Sequence, residues 1–366
     1  MDKFDNKLNF DFAANQRVMQ LIGVIDGFKG KWNTLEKRDN RYLKELREIA
    51  VVESVGASTR MDGATLINQE VKQLLQRIKT TQPESRDEEN ALGYYETLEL
   101  IYGSHSDIKL SENSLKQLHQ LLFKYNSKEE RHRGAYKHLP NQMGAVYPTG
   151  EQQISFATTG PALVKGEMYE LLTWVNRQST EATIHPLIII AVFIYEFLCI
   201  YPFQEGNGRL SRLLTTLCLL RERYEFIQYI SFENLIEEDK KEYYGALISG
   251  QQNRNTHKER VDKWLIFFLE KLKLLSEKLE KRYNGFKHKG KYLNKRQKRI
   301  RDFVKHNEPL KVSDLAAQFP EISLSTLKKD LQYLRYEQVL EMIGKGKGCI
   351  YLLKEKKSDG RRRKPL

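Results

Sequence analysis

Hydrophobic residues run almost unbroken from Leu187 to Ile200, and Leu210, Leu213, Leu214, Leu217, Leu219 and Leu220 then return with helical spacing. The pattern predicts two buried helices separated by a tight turn. Upstream, residues 1–104 read as helical, with one helix spanning about Val51 to Gln76 and a polar connector from Glu84 to Asn90. Trp32, Trp174 and Trp264 sit among apolar partners and are expected in the core. The amphipathic pattern ends at Leu279, and Gly285, Gly290 and several lysines then mark a boundary over 281–294. Beyond it, Arg296 to His306 reads as a helix with Ile300, Phe303 and Val304 inward, ended by Pro309. Ser313 is the expected N-cap of a short helix through Leu315, Ala316 and Phe319, and Ser323 opens a longer one carrying Leu324, Leu327, Leu331 and Leu334. Val339 to Ile343 and Cys349 to Leu353 then flank Gly344-Lys345-Gly346-Lys347-Gly348, as two short strands around a basic turn. The fold class is mainly α.

At 366 residues the chain has room for two or three domains. Met1 to Phe10 carries no apolar run of the kind a secretion signal needs. Leu187 to Ile200 is too short for a bilayer and contains Glu196, so no membrane partner is expected. Cys199, Cys218 and Cys349 are scattered without disulfide or metal-ligand spacing, which fits a reducing cytoplasm. His105, His119, His132 and His138 likewise lack the spacing of a zinc site. The net charge of +13 is uneven: residues 281–366 hold 24 Lys and Arg against 9 Asp and Glu. The rest of the chain is close to neutral, so a polyanionic partner would meet the C-terminal end.

The interruption between the two buried helices reads Tyr201-Pro202-Phe203-Gln204-Glu205-Gly206-Asn207-Gly208-Arg209-Leu210-Ser211-Arg212. Pro202, Gly206 and Gly208 allow a sharp turn whose amides can converge, and the following helix adds its positive N-terminal end. Such a concavity suits phosphate oxygens. Arg209 and Arg212, three residues apart, share one helix face and can reach the same anion. Glu205 is the carboxylate of the turn, and a hard oxygen ligand beside phosphates is how Mg2+ is usually held. A plain helix–helix turn with two solvated arginines is the alternative.

This stretch resembles the Fic motif, H-P-F-x-[DE]-G-N-G-R-x-x-R, at every defined position except the first, where Tyr201 stands for histidine. The likeness extends over roughly residues 105–275. It takes in His185-Pro186-Leu187-Ile188, Ser231-Phe232, Tyr243-Tyr244 and Trp264 to Leu269, and also Gly134-Ala135-Tyr136 leading to Tyr147-Pro148-Thr149-Gly150, where Fic proteins carry a β-hairpin flap. The resemblance implies a Fic-fold helical core over 105–280 that transfers AMP from ATP to a hydroxyl of a protein target. It implies that Glu205 holds Mg2+, that Gly206, Asn207 and Gly208 cradle the phosphates, and that Arg209 and Arg212 bind the β and γ phosphates. The flap, with Tyr136 and Tyr147, would align the target segment. The family's histidine is the general base. An imidazole titrates near ~6.5 and a phenol near ~10, so Tyr201 stays protonated at neutral pH and the activity is expected to be attenuated or absent.

Ser58-Thr59-Arg60-Met61-Asp62-Gly63 resembles the inhibitory motif [ST]-x-x-x-E-[GN] that one class of Fic proteins carries upstream. That likeness implies an inhibitory helix, about 51–76, in which Ser58, Asp62 and Gly63 take the motif positions. Its acid pairs with the second motif arginine, here Arg212. Asp62 is one methylene shorter than the family's glutamate, so the geometry of the pair would differ.

Residues 295–354, three helices and a β-hairpin, resemble a winged helix-turn-helix. Its third helix offers Ser325, Thr326, Lys328 and Lys329 to phosphates and base edges, with Lys345 and Lys347 at the wing tip. Residues 355–366 form a basic tail expected to be disordered. DNA binding and protein docking both remain open for this domain. Two functions therefore stand side by side: an autoinhibited adenylyltransferase, or a DNA-binding regulator whose degenerate pocket senses a nucleotide. The oligomeric state is open, a homodimer included.

Overall fold

A computed structural model of the chain describes residues 4–36, 40–78, 82–126, 132–145, 154–256, 258–288, 293–337, 339–344 and 348–354. The chain divides into two units, Met1–Lys281 and Arg282–Leu366. The first contains α1 (Phe12–Glu36), α2 (Asn40–Met61), α3 (Asn68–Arg77), α4 (Arg86–Ser104) and α5 (Glu112–Leu122). A hairpin of β1 (Gln142–Ala145) and β2 (Ile154–Ala157) follows, then α6 (Pro161–Glu181), α7 (Pro186–Ile200), α8 (Asn207–Arg221), α9 (Phe232–Glu238), α10 (Lys240–Gln251) and α11 (Asp262–His288), which begins in this unit and runs past Lys281. The mainly α class expected from the sequence holds.

Helix α7 is the axis of the first unit. His185 caps it by accepting from the Leu187 amide, and Pro186 at the first position needs no amide partner. From Ile189 to Ile200 every side chain is buried, with α6 and α8 packed against the helix. Trp264 of α11 donates to the Ala191 carbonyl at 2.8 Å, and all three tryptophans are in the core. Glu196, the one charge inside α7, is held by two cations that each also pair with a second carboxylate. Lys7 pairs with it and with Glu259, and Arg254 joins it to Glu167 at 3.0 and 2.9 Å. A buried carboxylate survives only with such partners.

Two upstream expectations change. The helix read over 51–76 is two helices, because α2 stops at Met61 and α3 starts at Asn68. Gly63 takes φ +99 in the turn between them, a conformation that an L side chain resists. Glu84 to Asn90 is not a connector but the beginning of α4. Ser85 caps it by accepting from the Glu88 amide, and Asp87, Glu88 and Glu89 in its first turn complement the helix dipole.

The second unit contains α12 (Lys295–Asn307), β3 (Leu310–Lys311), α13 (Val312–Gln318), α14 (Leu324–Tyr336), β4 (Leu340–Ile343) and β5 (Ile350–Leu353). Its strands form an antiparallel sheet in the order β3-β5-β4. Ile300, Val304, Leu315, Leu327, Leu331 and Leu334 make its core. Asp330 on α14 is buried and accepts from Arg296 and Gln297 of α12, which locks the two helices. Ser323 caps α14 as expected, accepting from the Thr326 amide. Ser313 does not cap α13: Lys311 is the cap residue, and Asp314 reaches back to its amide. The two-residue β3, which had no signal in the sequence pattern, puts the start of α13 earlier.

The ion cluster around Glu196 is testable. Lys7→Ala leaves Glu196 and Glu259 short of a cation, and the expected loss of stability of the first unit is about 3–5 kcal/mol. Urea unfolding followed by tryptophan fluorescence reads it; an unchanged midpoint would show that Arg254 alone balances the site.

Candidate functional site

Tyr201 ends α7 in the left-handed conformation at φ 52, its amide donating to the Phe197 carbonyl. The chain then turns through Pro202 to Gly206 into α8. Asn207 fastens the turn: its side-chain oxygen accepts from the Phe203 amide at 2.9 Å and its nitrogen donates to the Phe203 carbonyl at 2.7 Å. In this structure, then, the side chain of Asn207 builds the cradle. Gly206 sits at φ +79, and a Cβ there would lie 2.4 Å from the Phe123 ring. Both conformation and space require glycine.

His119 of α5 ties the turn to the flap side. Its Nε2 lies 3.0 Å from the Glu205 carbonyl, its Nδ1 accepts from the Gly134 amide at 3.0 Å, and its ring stacks on Phe203 at 3.9 Å. Those partners assign the neutral tautomer with the proton on Nε2. Burial lowers its pKa to about 4, aided by the positive Arg209 and opposed by the bond to Glu205.

Arg209 and Arg212 are almost fully buried, and the carboxylate of Asp62 bridges them. One oxygen lies 3.1 Å from Arg209 Nε and the other 2.9 Å from Arg212 Nη2. Arg212 also donates to the Ser58 hydroxyl at 2.7 Å and the Ser58 carbonyl at 2.8 Å. Arg209 donates to the Asn90 side chain at 2.6 Å and lies over the Phe123 ring. The sequence pointed to an Asp62–Arg212 pair; the shorter side chain reaches both arginines. Gly63 permits the turn that follows Asp62 directly. Arg60 anchors the end of α2 through two 2.7 Å bonds to Glu237.

Glu205 projects from the turn toward α4. Arg86 Nη2 lies 2.8 and 2.9 Å from its two carboxylate oxygens, and Arg209 Nη2 is 3.6 Å away. Among the described residues no group of three or more His, Cys, Asp or Glu is placed to hold a metal. One accessible carboxylate beside an anion seat nonetheless fits Mg2+, which is usually held by one or two carboxylates and the phosphates of its substrate.

Burial holds the Tyr201 phenol above its ordinary range, and the Asp62 carboxylate and Tyr244 add to this while Arg212 and Arg209 oppose it. Tyr136 packs on Phe203 with ring centres 5.5 Å apart and forms an isolated β-bridge with it. The adjacent Lys137 is buried, with its ammonium on Asn141, Thr158 and the Ile200 carbonyl; burial lowers its pKa to about 8. Tyr147 lies outside the described residues, as do Lys345, Lys347 and the tail. On α14, Ser325, Lys328 and Lys329 are exposed and Thr326 is half-buried beside the Ser323 cap. Four residues of the site were not singled out by sequence reasoning: Arg86, Asn90, Phe123 and Lys137. His119 was noted only as one of four scattered histidines.

Fold and site together define a helical protein whose two central helices hold a glycine-arginine turn closed by an internal carboxylate. Residues 109–219 match the Fic/DOC family, and the chain carries a domain of that family. It is similar to the protein adenylyltransferase fic-1 of Caenorhabditis elegans, 30% identical over 108 residues, or 30% of this chain and 20% of that one. The protein adenylyltransferase Fic of Drosophila grimshawi is 25% identical over 222 residues, 58% of this chain and 43% of that one. The chain thus spans less than half the length of these curated relatives. Among solved structures, a Fic family protein from Desulfovibrio desulfuricans superposes with a TM-score of 0.63 at 20% identity, covering 93% of this chain and 97% of that one. A Fic domain-containing signaling protein from Bacteroides thetaiotaomicron gives 0.58 at 24% identity, covering 72% and 98%. Both likenesses establish the fold.

The His119 bonds predict a pH effect. A histidine whose pKa is lowered on folding contributes stability that is complete above about 6.5 and is lost as pH falls through about 4. Between pH 7 and pH 4 wild type is expected to lose on the order of 3 kcal/mol more than His119→Gln. Denaturant titrations at the two pH values check this, and equal losses would place the acid sensitivity elsewhere.

Proposed function

We propose that this protein is a Fic-type protein adenylyltransferase, held off by Asp62 and attenuated by Tyr201. The observation that carries the reading is the closed triad of Asp62, Arg209 and Arg212 at a complete G-N-G-R-x-x-R turn. Two buried guanidiniums facing one carboxylate form an anion seat, and the polyphosphate of ATP presents the charge they would accept once Asp62 withdraws. The target hydroxyl would attack the α-phosphorus, forming a new O–P bond as the bond to the β-phosphate bridging oxygen breaks and pyrophosphate leaves. The hydroxyl proton needs an acceptor. Tyr201, protonated and buried, can donate a hydrogen bond to the nucleophile but not take its proton. Mg2+, held by Glu205, would neutralise charge developing on the phosphates.

The second unit supports a further role. Three helices with an antiparallel strand pair and an exposed Ser325, Lys328 and Lys329 on α14 fit a winged helix-turn-helix, and the charge excess of residues 281–366 favours a nucleic-acid partner. In that reading the first unit senses a nucleotide for a DNA-binding regulator. Free, buried Cys199, Cys218 and Cys349 fit a reducing compartment, and no described helix is long and apolar enough to cross a membrane.

Labelled AMP transfer tests the enzyme reading. In an Asp62→Ala background, Tyr201→His is expected to raise transfer to any protein acceptor about 10²–10⁴-fold, the usual contribution of a general base. Histidine also tolerates the left-handed backbone of position 201 better than most residues. Arg209→Ala should abolish the gain. Absence of transfer from every variant, with salt-sensitive DNA binding by the full chain, would decide for the regulator.

A further inference from the structure

The anion seat is filled by Asp62, and the carboxylate opposite it is filled as well. Arg86 places one nitrogen across both oxygens of Glu205, at 2.8 and 2.9 Å, the straddling position a bidentate cation takes. Arg86 comes from α4 and Asp62 from the turn just after α2, yet they are joined. Thr65, three residues past Asp62, donates from its amide and its hydroxyl to Asp87, the neighbour of Arg86, at 2.8 and 2.9 Å. Asn90, one turn further along α4, accepts from Arg209. The end of α2 and the first turn of α4 therefore meet the cradle as one tied piece.

We propose that Arg86 is a built-in competitor for the divalent cation at Glu205, so that the α2–α4 segment carries its own cation as well as its own anion into the cradle. The inference rests on the adenylyltransferase reading, specifically on Glu205 as the metal's ligand. A metal ion arriving with a nucleotide must displace Arg86, which removes one of the contacts holding the tied segment against the cradle and so weakens the hold of Asp62. Arg86 is exposed enough to swing into solvent, with its side chain 60% accessible, whereas Arg209 at 2% is not. The competing cation is thus the mobile one. Opposite charges face each other in both conditions: Glu205 faces Arg86 while the two buried arginines face Asp62, or Glu205 would face a metal ion while the arginines face phosphates.

Calorimetric titration of ATP into the full chain at graded Mn2+ concentrations tests this directly. Arg86→Ala is expected to lower the Mn2+ concentration giving half-maximal ATP binding about two- to fivefold, the scale of an exposed ion pair. Arg86→Glu, which sets a second carboxylate beside Glu205, should lower it further. In combination with Asp62→Ala the Arg86→Ala shift should shrink, because the two contacts are coupled. The same Mn2+ dependence in wild type and both Arg86 variants, with ATP still bound, overturns the proposal and leaves the adenylyltransferase reading standing. A change in ATP affinity that is equal with and without Mn2+ overturns it too, since Arg86 would then act on the nucleotide seat alone. No ATP binding by wild type or Asp62→Ala at any Mn2+ concentration sinks the reading beneath it and the proposal with it.

Discussion

Two arginines buried side by side at the start of α8 are the constraint around which the rest of the first unit is arranged. Arg209 and Arg212 are 2% and 3% exposed, and an uncompensated charge at that depth is strongly destabilising. The partners come from outside α8: Ser58 from α2, Asp62 from the turn just past its end, Asn90 from α4, and the Phe123 ring just after α5. Helices distant in sequence are drawn to one point by the need to satisfy two guanidiniums. The N-terminal region is consequently not an appendage to the motif. It supplies the counter-charge that lets the two buried arginines exist in a stable, closed structure.

That arrangement makes the resting site self-complementary. A carboxylate stands against the cations and a guanidinium against the acid, and the turn between them is rigid because Asn207 and His119 fix the backbone at Phe203 and Glu205. Rigidity and closure come from different residues. Substituting Asp62 or Arg86 alters what fills the cradle, while substituting Asn207 or His119 alters whether the cradle keeps its shape. The flap side belongs to the second group, since Gly134 hangs from His119 and Lys137 binds the end of α7.

How much of this was legible in the chain follows from the sequence distance over which each interaction acts. The turn could be read because its glycines, acid and arginines are contiguous between two apolar runs. Asp62 could be read because it lies in a short pattern of its own, and Ser323 because a cap acts over three residues. Arg86 and Asn90 could not: their partners lie 119 residues away, and a stretch rich in Arg, Asp, Glu and Asn looks like solvent-facing linker until the acids are seen in the first turn of a helix. The break at Gly63 was overridden by good helical spacing on either side, although φ +99 shows glycine acting as a stop. The misplaced cap of α13 has a similar origin. Ser313 has the right chemistry, but pairing of Leu310 and Lys311 with β5 fixes the backbone earlier and leaves Asp314 to serve the Lys311 amide.

Tyr201 and Asp62 are linked electrostatically, and this bears on turnover. Burial is the main reason the phenol holds its proton, with the Asp62 carboxylate second; the arginines act the other way. Exchange of Asp62 for phosphates would replace one anion near the phenol by others of higher charge, and the arginines would be neutralised again. Neither condition exposes Tyr201 to uncompensated positive charge, so neither brings it toward the pKa a base needs near neutral pH. On the proposed reading, withdrawal of Asp62 would therefore leave the site without a base. In any transfer at this site the arginines would act by stabilising charge, Tyr201 by presenting its O–H to the nucleophile, and the proton would have to leave by way of solvent or the target itself.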